Sequence, residues 1–560
     1  MIVRDEAHIV GEVIDAAAPY IDYWVVVDTG SQDGTQDFIR GRMAELGIPG
    51  ELLERPWRDF GHNRSEALTL SQGKAEYIWM MDADDTVVGT PDFRGLTADC
   101  YAMLIHWRSV RLWRRQLFRD GVPWYYRGVV HEIAVCDEPF TEQRLEGDHY
   151  IQGRTMGART KDPRKFLRDA EVLLAHVEEH PDDEKSVFYL AQSYFDAADF
   201  ENALTWYARR VELGGWAEEV FYSLLRVASC LAELETPWGQ VEDAYARAWA
   251  YRPTRAEPLY EVARRLRMSE RYELGYLYAR WAAAMPVPAG DTLRADNDIY
   301  TWHAMDEQAV CASWIGRETE TFELCRRLLA VPGVDEAERS RFAANRDLGV
   351  PRLLDETAAY PHDLAQRPHG RREAEVTVSL VASRDRESVV RTLNSFLRCC
   401  TDVDEVGRFL VLDTGLAVAD RAELSDCYPF VEFLDGNAAM TSAQQIDRIG
   451  AAIGGRYWLH VGQGWQFFAA DPLITRLRSV PRAEPGIFQV GINVGDAATL
   501  TGLAAPAATT LTAPGAGRYV LTGTASQGPH MVDVERLGAR SGGTHVGWAT
   551  LDEVLCVKVG

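Results

Sequence analysis

The chain has 560 residues, 46% hydrophobic and 26% charged, the balance of an ordinary soluble globular protein with length for about three domains. Its formal net charge of −25 argues against nucleic acid or an anionic membrane surface as a main partner, because both would repel it. Nine cysteines with no CxxC pair form neither a disulfide framework nor a zinc site, no run of about 18 apolar residues exists to span a membrane, and Arg4, Asp5 and Glu6 stand where a signal peptide needs an apolar core, so a cytoplasmic location is expected.

In chain order, the first strong signal is the apolar run Tyr23 to Val27, which ends in Asp28-Thr29-Gly30-Ser31-Gln32-Asp33-Gly34-Thr35. A strand feeding a Gly- and Ser-containing turn, with a helix from about Gln36, places backbone N–H groups and a carboxylate at a sheet's carboxyl edge, where open α/β folds bind nucleotides. Tyr77 to Met81 predicts a second buried strand, followed at once by Asp82, Asp84 and Asp85. Carboxylates crowded at a strand end repel one another, and a divalent cation carrying a phosphate group would neutralise them. The plainer alternative is a polar turn in which Asp is simply a favoured residue. Two strands ending in the same chemistry favour the first reading. Further on, Trp124, Tyr125 and Tyr126 read as core and rim packing, with a sugar-stacking platform as the alternative, and His131-Glu132 taken alone reads as a structural hydrogen-bonded pair.

The segments MIVRDEAH, VVVDTGSQDGT, DFGHNRSEAL, MMDADD and YRGVVHE, in that order, resemble the family-2 glycosyltransferases of GT-A fold. The likeness is greatest to the subgroup whose catalytic domain is followed by tetratricopeptide-like helices, a group similar to bacterial peptide S-glycosyltransferases. The resemblance implies a Rossmann-like nucleotide-diphospho-sugar transferase domain over residues 1–160. It also implies roles for particular residues. Asp5 and Asp28 would line the nucleotide base pocket, and Arg64 would approach the nucleotide or its diphosphate. Asp82 and Asp84 match the DxD motif that holds the ribose and a Mn²⁺ or Mg²⁺ ion on the diphosphate; His131 matches a late position that completes the metal site, and Glu132 is the nearest candidate for the catalytic base. The implied partners are a nucleotide-diphosphate sugar donor, UDP-linked, and a peptide, protein or glycan acceptor. In the family the first strand runs several residues before the acidic turn, whereas here the turn follows Met1-Ile2-Val3 almost at once, so a clipped first strand is expected.

The implied chemistry is coherent. A cation bridging the diphosphate oxygens stabilises charge on the leaving group. A carboxylate on the opposite face of the sugar takes the acceptor's proton in the same step, which inverts the anomeric centre. Two alternatives stand beside this. IWMMDADDTVV also fits the first motif of haloacid dehalogenase phosphatases, with Asp82 as nucleophile, Asp84 as acid/base and Thr86 in support, but a complete strand and nucleotide-type turn precede it and no later motif follows. The non-enzymatic alternative is a binding scaffold that keeps the fold and has lost the activity. Should the oxygens of the acidic cluster be turned away from any cleft, or sealed in pairs with neighbouring arginines, the enzyme reading falls and only the architecture survives.

From about Pro163 the apolar residues recur at helical spacing, as in Phe166, Ala170, Leu173, Leu174 and Val177, with Pro181 closing the helix. Leu190, Ala191, Tyr194, Ala203 and Tyr207 fit the offsets of a tetratricopeptide hairpin, Leu224 follows Leu190 by 34 residues, and further units run to Pro253 and Pro286. A helical repeat domain over 161–350 is expected, either presenting a concave peptide-binding surface or bracing the catalytic domain. A linker is expected over 351–375. Beyond it the opening pattern returns: Val376 to Ala382 leads to Ser383-Arg384-Asp385, Phe409 to Leu412 leads to Asp413-Thr414-Gly415, and Tyr457 to Val461 parallels Tyr77 to Met81. Asp5 and Asp82 are 77 residues apart, as are Asp385 and Gly462. Residues 376–560 therefore read as a second, degenerate GT-A-like α/β domain in which Gly462, Gln463, Gly464 and Trp465 replace the acidic cluster. Residues 498–517, rich in Ala, Thr, Gly and Pro, read as a loop.

Overall fold

The structure, a computed structural model, describes residues 1–107, 110–288, 290, 293, 295–365, 375–494, 510–538 and 547–559, with the backbone alone at Val110, Thr160 and Lys161. The chain forms two compact units, Met1–Pro253 with Gly290–Ala295, and Thr254–Ala289 with Asp296–Gly560.

The first unit opens with a parallel sheet of β1 (Ile2–Val3), β2 (Trp24–Asp28) and β3 (Gly50–Glu54), in that order. The helix Thr35–Leu46 follows β2 and stops at Gly47, whose φ of +70° only glycine adopts without strain. The helix Phe60–Ser71 begins where the Asp59 carboxylate accepts the His62 N–H. A second sheet follows, built from β4 (Tyr77–Trp79), β5 (Thr86–Val88), β6 (Cys100–Trp107), β7 (Val110–Arg119), β10 (Glu142–Arg144) and β11 (Tyr150–Gly153). Its path is β4-β7-β6-β11-β5 with β10 on β6, while β8 (Tyr125–Arg127) and β9 (Ile133–Val135) pair separately. Strand β4 is shorter than the apolar run predicts: Met80 and Met81 are buried past its end. Val3, Val10, Ile14, Val26, Met81 and Leu117 share one core.

Five helices complete this unit: Lys165–Glu179, Glu184–Asp196, Phe200–Leu213, Ala217–Glu233 and Trp238–Tyr251. Ala170, Leu173, Val177, Leu190, Ala191, Ala203 and Tyr207 are buried between them, as the repeat pattern requires. Leu224 is only half-buried and the adjacent Leu225 takes the inner position.

The second unit starts with helices Glu257–Met268, Tyr272–Ala283, Ala304–Trp314, Glu318–Leu329 and Glu336–Leu348. The expected linker is largely helical instead, through Val350–Ala358 and His362–Ala365. Val350, Leu353 and Ala365 are buried in the core of the sheet that follows, so apolar spacing outweighed the Pro and Arg content; residues 366–374 lie outside the described residues. That sheet uses β12 (Val376–Ala382), β13 (Val406–Asp413), β14 (Val431–Asp435), β15 (Tyr457–His460), β17 (Ile487–Gly491), β18 (Leu511–Ala513), β19 (Gly517–Thr522), β20 (His530–Asp533) and β21 (Gly547–Leu551). Its order is β14-β13-β12-β15-β20-β17-β21-β19-β18, and β16 (Trp465–Phe467) pairs with β22 (Cys556–Lys558). The loop expected over 498–517 is strand at β18, since Leu511 to Ala513 pair with Gly517 to Tyr519; residues 495–509 lie outside the described residues. All nine cysteines are free thiols, and among the described residues no helix is long and apolar enough to cross a membrane.

Candidate active site

At the carboxyl end of β2, Asp28 is buried, and its Oδ1 accepts the Gly30 and Ser31 N–H groups, each at 2.9 Å, and the Gln36 side-chain N–H at 3.1 Å. Its Oδ2 is buried without a hydrogen-bond partner among the described residues. Asp5 sits at φ +55°, its carboxylate accepting the Gln32 N–H at 2.8 Å and its own N–H bonding Ser31 Oγ at 2.9 Å. The two acids that were expected to line a base pocket thus shape one loop over residues 28–33.

The acidic cluster divides in two. Asp82 is held by arginines: Arg64 bonds Oδ1, and both terminal nitrogens of Arg114 reach Oδ2 at 3.2 Å. Arg64 also pairs through Nε with Glu132 at 2.6 Å and lies over the Tyr126 ring, 5.6 Å from its centroid. Arg114 reaches on to Asp85 at 3.5 Å. The result is a chain of alternating charge, Glu132, Arg64, Asp82, Arg114, Asp85. Burial works to raise the Asp82 pKa, but Arg64 and then Arg114 outweigh it and hold the carboxyl well below the usual range. Burial, then the neighbouring Asp82 charge, pushes Asp85 up to about 7. A carboxylate so engaged is neither a free metal ligand nor a free nucleophile, which removes the basis of the phosphatase reading.

Asp84 faces elsewhere. Its Oδ2 accepts the Met156 and Gly157 N–H groups at 3.0 and 3.1 Å, and its carbonyl accepts from Arg154 Nε at 2.7 Å. The next N–H, of Ala158, bonds both oxygens of Glu6 at 3.2 Å, so one backbone segment is tied to two carboxylates. Oδ1 of Asp84 makes no hydrogen bond among the described residues. Among those residues no three His, Cys, Asp or Glu side chains gather as a metal site. A Mg²⁺ or Mn²⁺ ion bound with a phosphate substrate takes one or two carboxylates and completes its shell from phosphate and water, and the open oxygen of Asp84 fits that limited demand.

His131, at φ +56°, stacks on Tyr189 with ring centroids 4.1 Å apart. Glu132 is nearly buried against Arg64. Of the three aromatics, Trp124 is buried against Phe118 and Phe140, Tyr125 bonds Asp137, and Tyr126 lies under Arg64, its hydroxyl pushed up to about 12 by burial. Trp124 is thus core packing, while Tyr125 and Tyr126 are half-buried. Sequence reasoning missed Arg114 and the Met156–Ala158 segment. Arg114 was readable only as one of four arginines along strand β7, with nothing to single it out; the backbone segment carries no side-chain signal.

Residues 1–90 match the family model described as Glycosyl transferase family 2. A curated TPR repeat-containing protein of Synechococcus elongatus is 26% identical over 317 residues, covering 51% of this chain and 74% of that one. Among solved structures, MamA is similar at 12% identity over 30% of this chain and 81% of its own, with a TM-score of 0.25, and the TPR protein YrrB at 15% identity over 33% and 84%, also with a TM-score of 0.25. The family match and the helical hairpins support a family-2 glycosyltransferase domain joined to TPR-like repeats.

Proposed function

We propose that the first unit is a metal-dependent inverting glycosyltransferase that moves a hexose from a UDP-linked or related nucleotide-diphosphate sugar to an acceptor. The observation carrying this reading is Asp84: it alone of the DxD acids keeps a carboxylate oxygen open while its other oxygen is fixed by backbone N–H groups. The buried Oδ2 of Asp28 would be satisfied by an N–H of the nucleobase, removing an orphaned acceptor. Arg64 and Arg114 would exchange part of their contact with Asp82 for the diphosphate. Glu132 would take the acceptor's proton once the donor draws Arg64 away. A bound Mn²⁺ or Mg²⁺ held by Asp84 would neutralise the negative charge that develops on the leaving diphosphate. The helical repeats would hold a peptide, protein or glycan acceptor. In the second unit β14-β13-β12 run parallel in the order of β3-β2-β1. With Gly462 to Trp465 at the acidic positions, residues 376–560 are proposed as a degenerate, inactive copy. Nine free thiols go with a cytoplasmic location.

The test is a panel of nucleotide sugars assayed for Mn²⁺-dependent hydrolysis, with Asp84→Asn as control. Turnover that needs Mn²⁺ and vanishes in the variant is the expected result; turnover unaffected by either would sink the assignment. The pairing of Asp82 with two arginines favours one second reading, a scaffold that binds no donor. Mn²⁺ with UDP at 100 times its dissociation constant should stabilise the enzyme by about 2.7 kcal/mol and leave the scaffold unchanged.

A further inference from the structure

The second unit holds a cavity of about 30 Å³ beside the helices Glu318–Leu329 and Glu336–Leu348, and the charged groups in its wall are Arg326, Arg339, Arg346, Arg518, Asp552 and Glu553. Four guanidinium groups there meet two carboxylates. Both acids are already engaged: Asp552 accepts Arg518 Nε at 3.0 Å, and Glu553 accepts Arg326 Nε at 2.9 Å and Arg476 Nη1 at 3.1 Å. Asp471 and Asp347 reach Arg326 and Arg346 from outside the wall, at 2.6 and 2.7 Å. Glu323 and Glu336, on the same two helices, are exposed, where water and salt screen them.

Arg339 and Arg346 are 2% and 3% exposed. Arg339 and Arg518 each donate through Nη1 to the Leu329 carbonyl at 2.7 Å, so two guanidinium groups are close neighbours at the end of one helix. Like charges so placed disfavour each other, and burial, then the Arg518 charge, lowers the Arg339 pKa. Arg346 gives its Nε to Asp347, while its Nη2 is buried with no hydrogen-bond partner among the described residues. A guanidinium group has only donors, so the occupant of this cavity must accept from several sides at once. A water molecule accepts two bonds and has two protons of its own to place. A monatomic anion accepts from every direction and also offsets the excess positive charge. The volume suits such an ion, being room for about two waters and too little for a nucleotide or a peptide.

We propose that this cavity is an anion site, holding one chloride-class ion against Arg339, Arg346 and Arg518. The ion would fasten the helices Glu318–Leu329 and Glu336–Leu348 to strand β19, which carries Arg518, and to the segment after β21, which carries Asp552 and Glu553. Its part is structural: it lets buried guanidinium groups stay charged where helices and sheet of the second unit meet.

The test is a thermal melt of the full chain in which chloride replaces gluconate, too large for the cavity, at constant ionic strength. The melting temperature should rise along a saturating curve, by about 3 °C at ten times the dissociation constant. Arg346→Gln should lose that response, and Arg352→Gln, which removes an exposed guanidinium group elsewhere in the unit, should keep it. Crystals grown in bromide should show an anomalous difference peak among Arg339, Arg346 and Arg518, a readout that stands whether or not the Arg346→Gln chain folds. An equal response to chloride in the parent and Arg346→Gln chains would overturn the proposal, and so would water alone in the cavity of the bromide crystals.

Discussion

Asp82 and Asp84 are two residues apart, yet one is paired with arginines and the other with backbone N–H groups, and a pair of substitutions separates the roles proposed for them. Asp82→Asn removes the charge between Arg64 and Arg114. Arg64 is only 13% exposed, so breaking its pair falls in the class of buried ion pairs, at about 3 kcal/mol because Glu132 remains as a partner. Arg114 is 41% exposed, and its share is that of a surface pair, under about 1 kcal/mol. The sum, about 3 to 4 kcal/mol, corresponds to a fall of roughly 6–16 °C in the melting temperature of a unit of this size. Asp84→Asn keeps an amide oxygen to accept the Met156 and Gly157 N–H groups, so it should cost about 1 kcal/mol or less. Its effect should lie in Mn²⁺-dependent release of UDP from a nucleotide sugar, reduced at least about 100-fold. Thermal melts followed by circular dichroism and a UDP-release assay on the same samples read both quantities. An Asp84→Asn protein that melts lower than Asp82→Asn, or one that keeps full turnover, would refute this division of labour.

Three further outcomes are expected. Glu132→Gln keeps the size of the side chain and removes the base, so turnover should fall about 100-fold or more while stabilisation by Mn²⁺ and UDP persists; loss of both would mean that Glu132 serves only to fix Arg64. Asp28→Ala removes the acceptor of three hydrogen bonds as well as the buried Oδ2, and isothermal titration should show UDP affinity lost together with order in the 28–33 loop. His460 is half-buried beside His530, and desolvation, with His530 adding to it, lowers it from 6.5 to about 3. Between those values the unfolded chain binds a proton that the folded chain does not. Stability of the second unit should therefore fall as pH drops from about 6.5 toward 3, by up to about 1.4 kcal/mol per pH unit, and His460→Gln should flatten that slope in urea melts at several pH values.

The parts of this fold legible in the sequence are those whose cause is local. The runs at Tyr23 and Tyr77 announced strands because their neighbours end them with acids and glycines, and the helices after Pro163 announced themselves by spacing. Residues 351–365 misled because Pro, His and Arg suggested a linker, whereas Val350, Leu353 and Ala365 reach a core made by strands that come later in the chain. The site shows the same limit. Asp28, Asp82 and Asp84 are visible as acids at strand ends, but which of them stays open depends on Arg114, 32 residues beyond Asp82, and on backbone N–H groups 72 and 73 residues beyond Asp84. Composition cannot report those partners, since an arginine in a strand is as often a surface residue.

The arginine pairing that removes Asp82 as a ligand also gives it a purpose. A chain of net charge −25 would offer an anionic donor no general attraction, so the proposed diphosphate site would need cations placed locally. The guanidinium groups of Arg64, nearly buried, and Arg114, partly exposed, meet at Asp82, whose charge offsets their mutual repulsion. A diphosphate entering beside them carries more charge than the single carboxylate and accepts bidentate bonds from both arginines, so partial exchange of partners is downhill once the donor is there. On the proposed reading Asp82 would keep Arg64 and Arg114 aimed before the donor arrives, and Asp84, with one carboxylate oxygen open, would hold a divalent ion bound with the donor. The affinity for UDP should then weaken with salt more steeply in the parent chain than in Arg114→Gln, since the exposed member of the pair carries the screened part of the attraction.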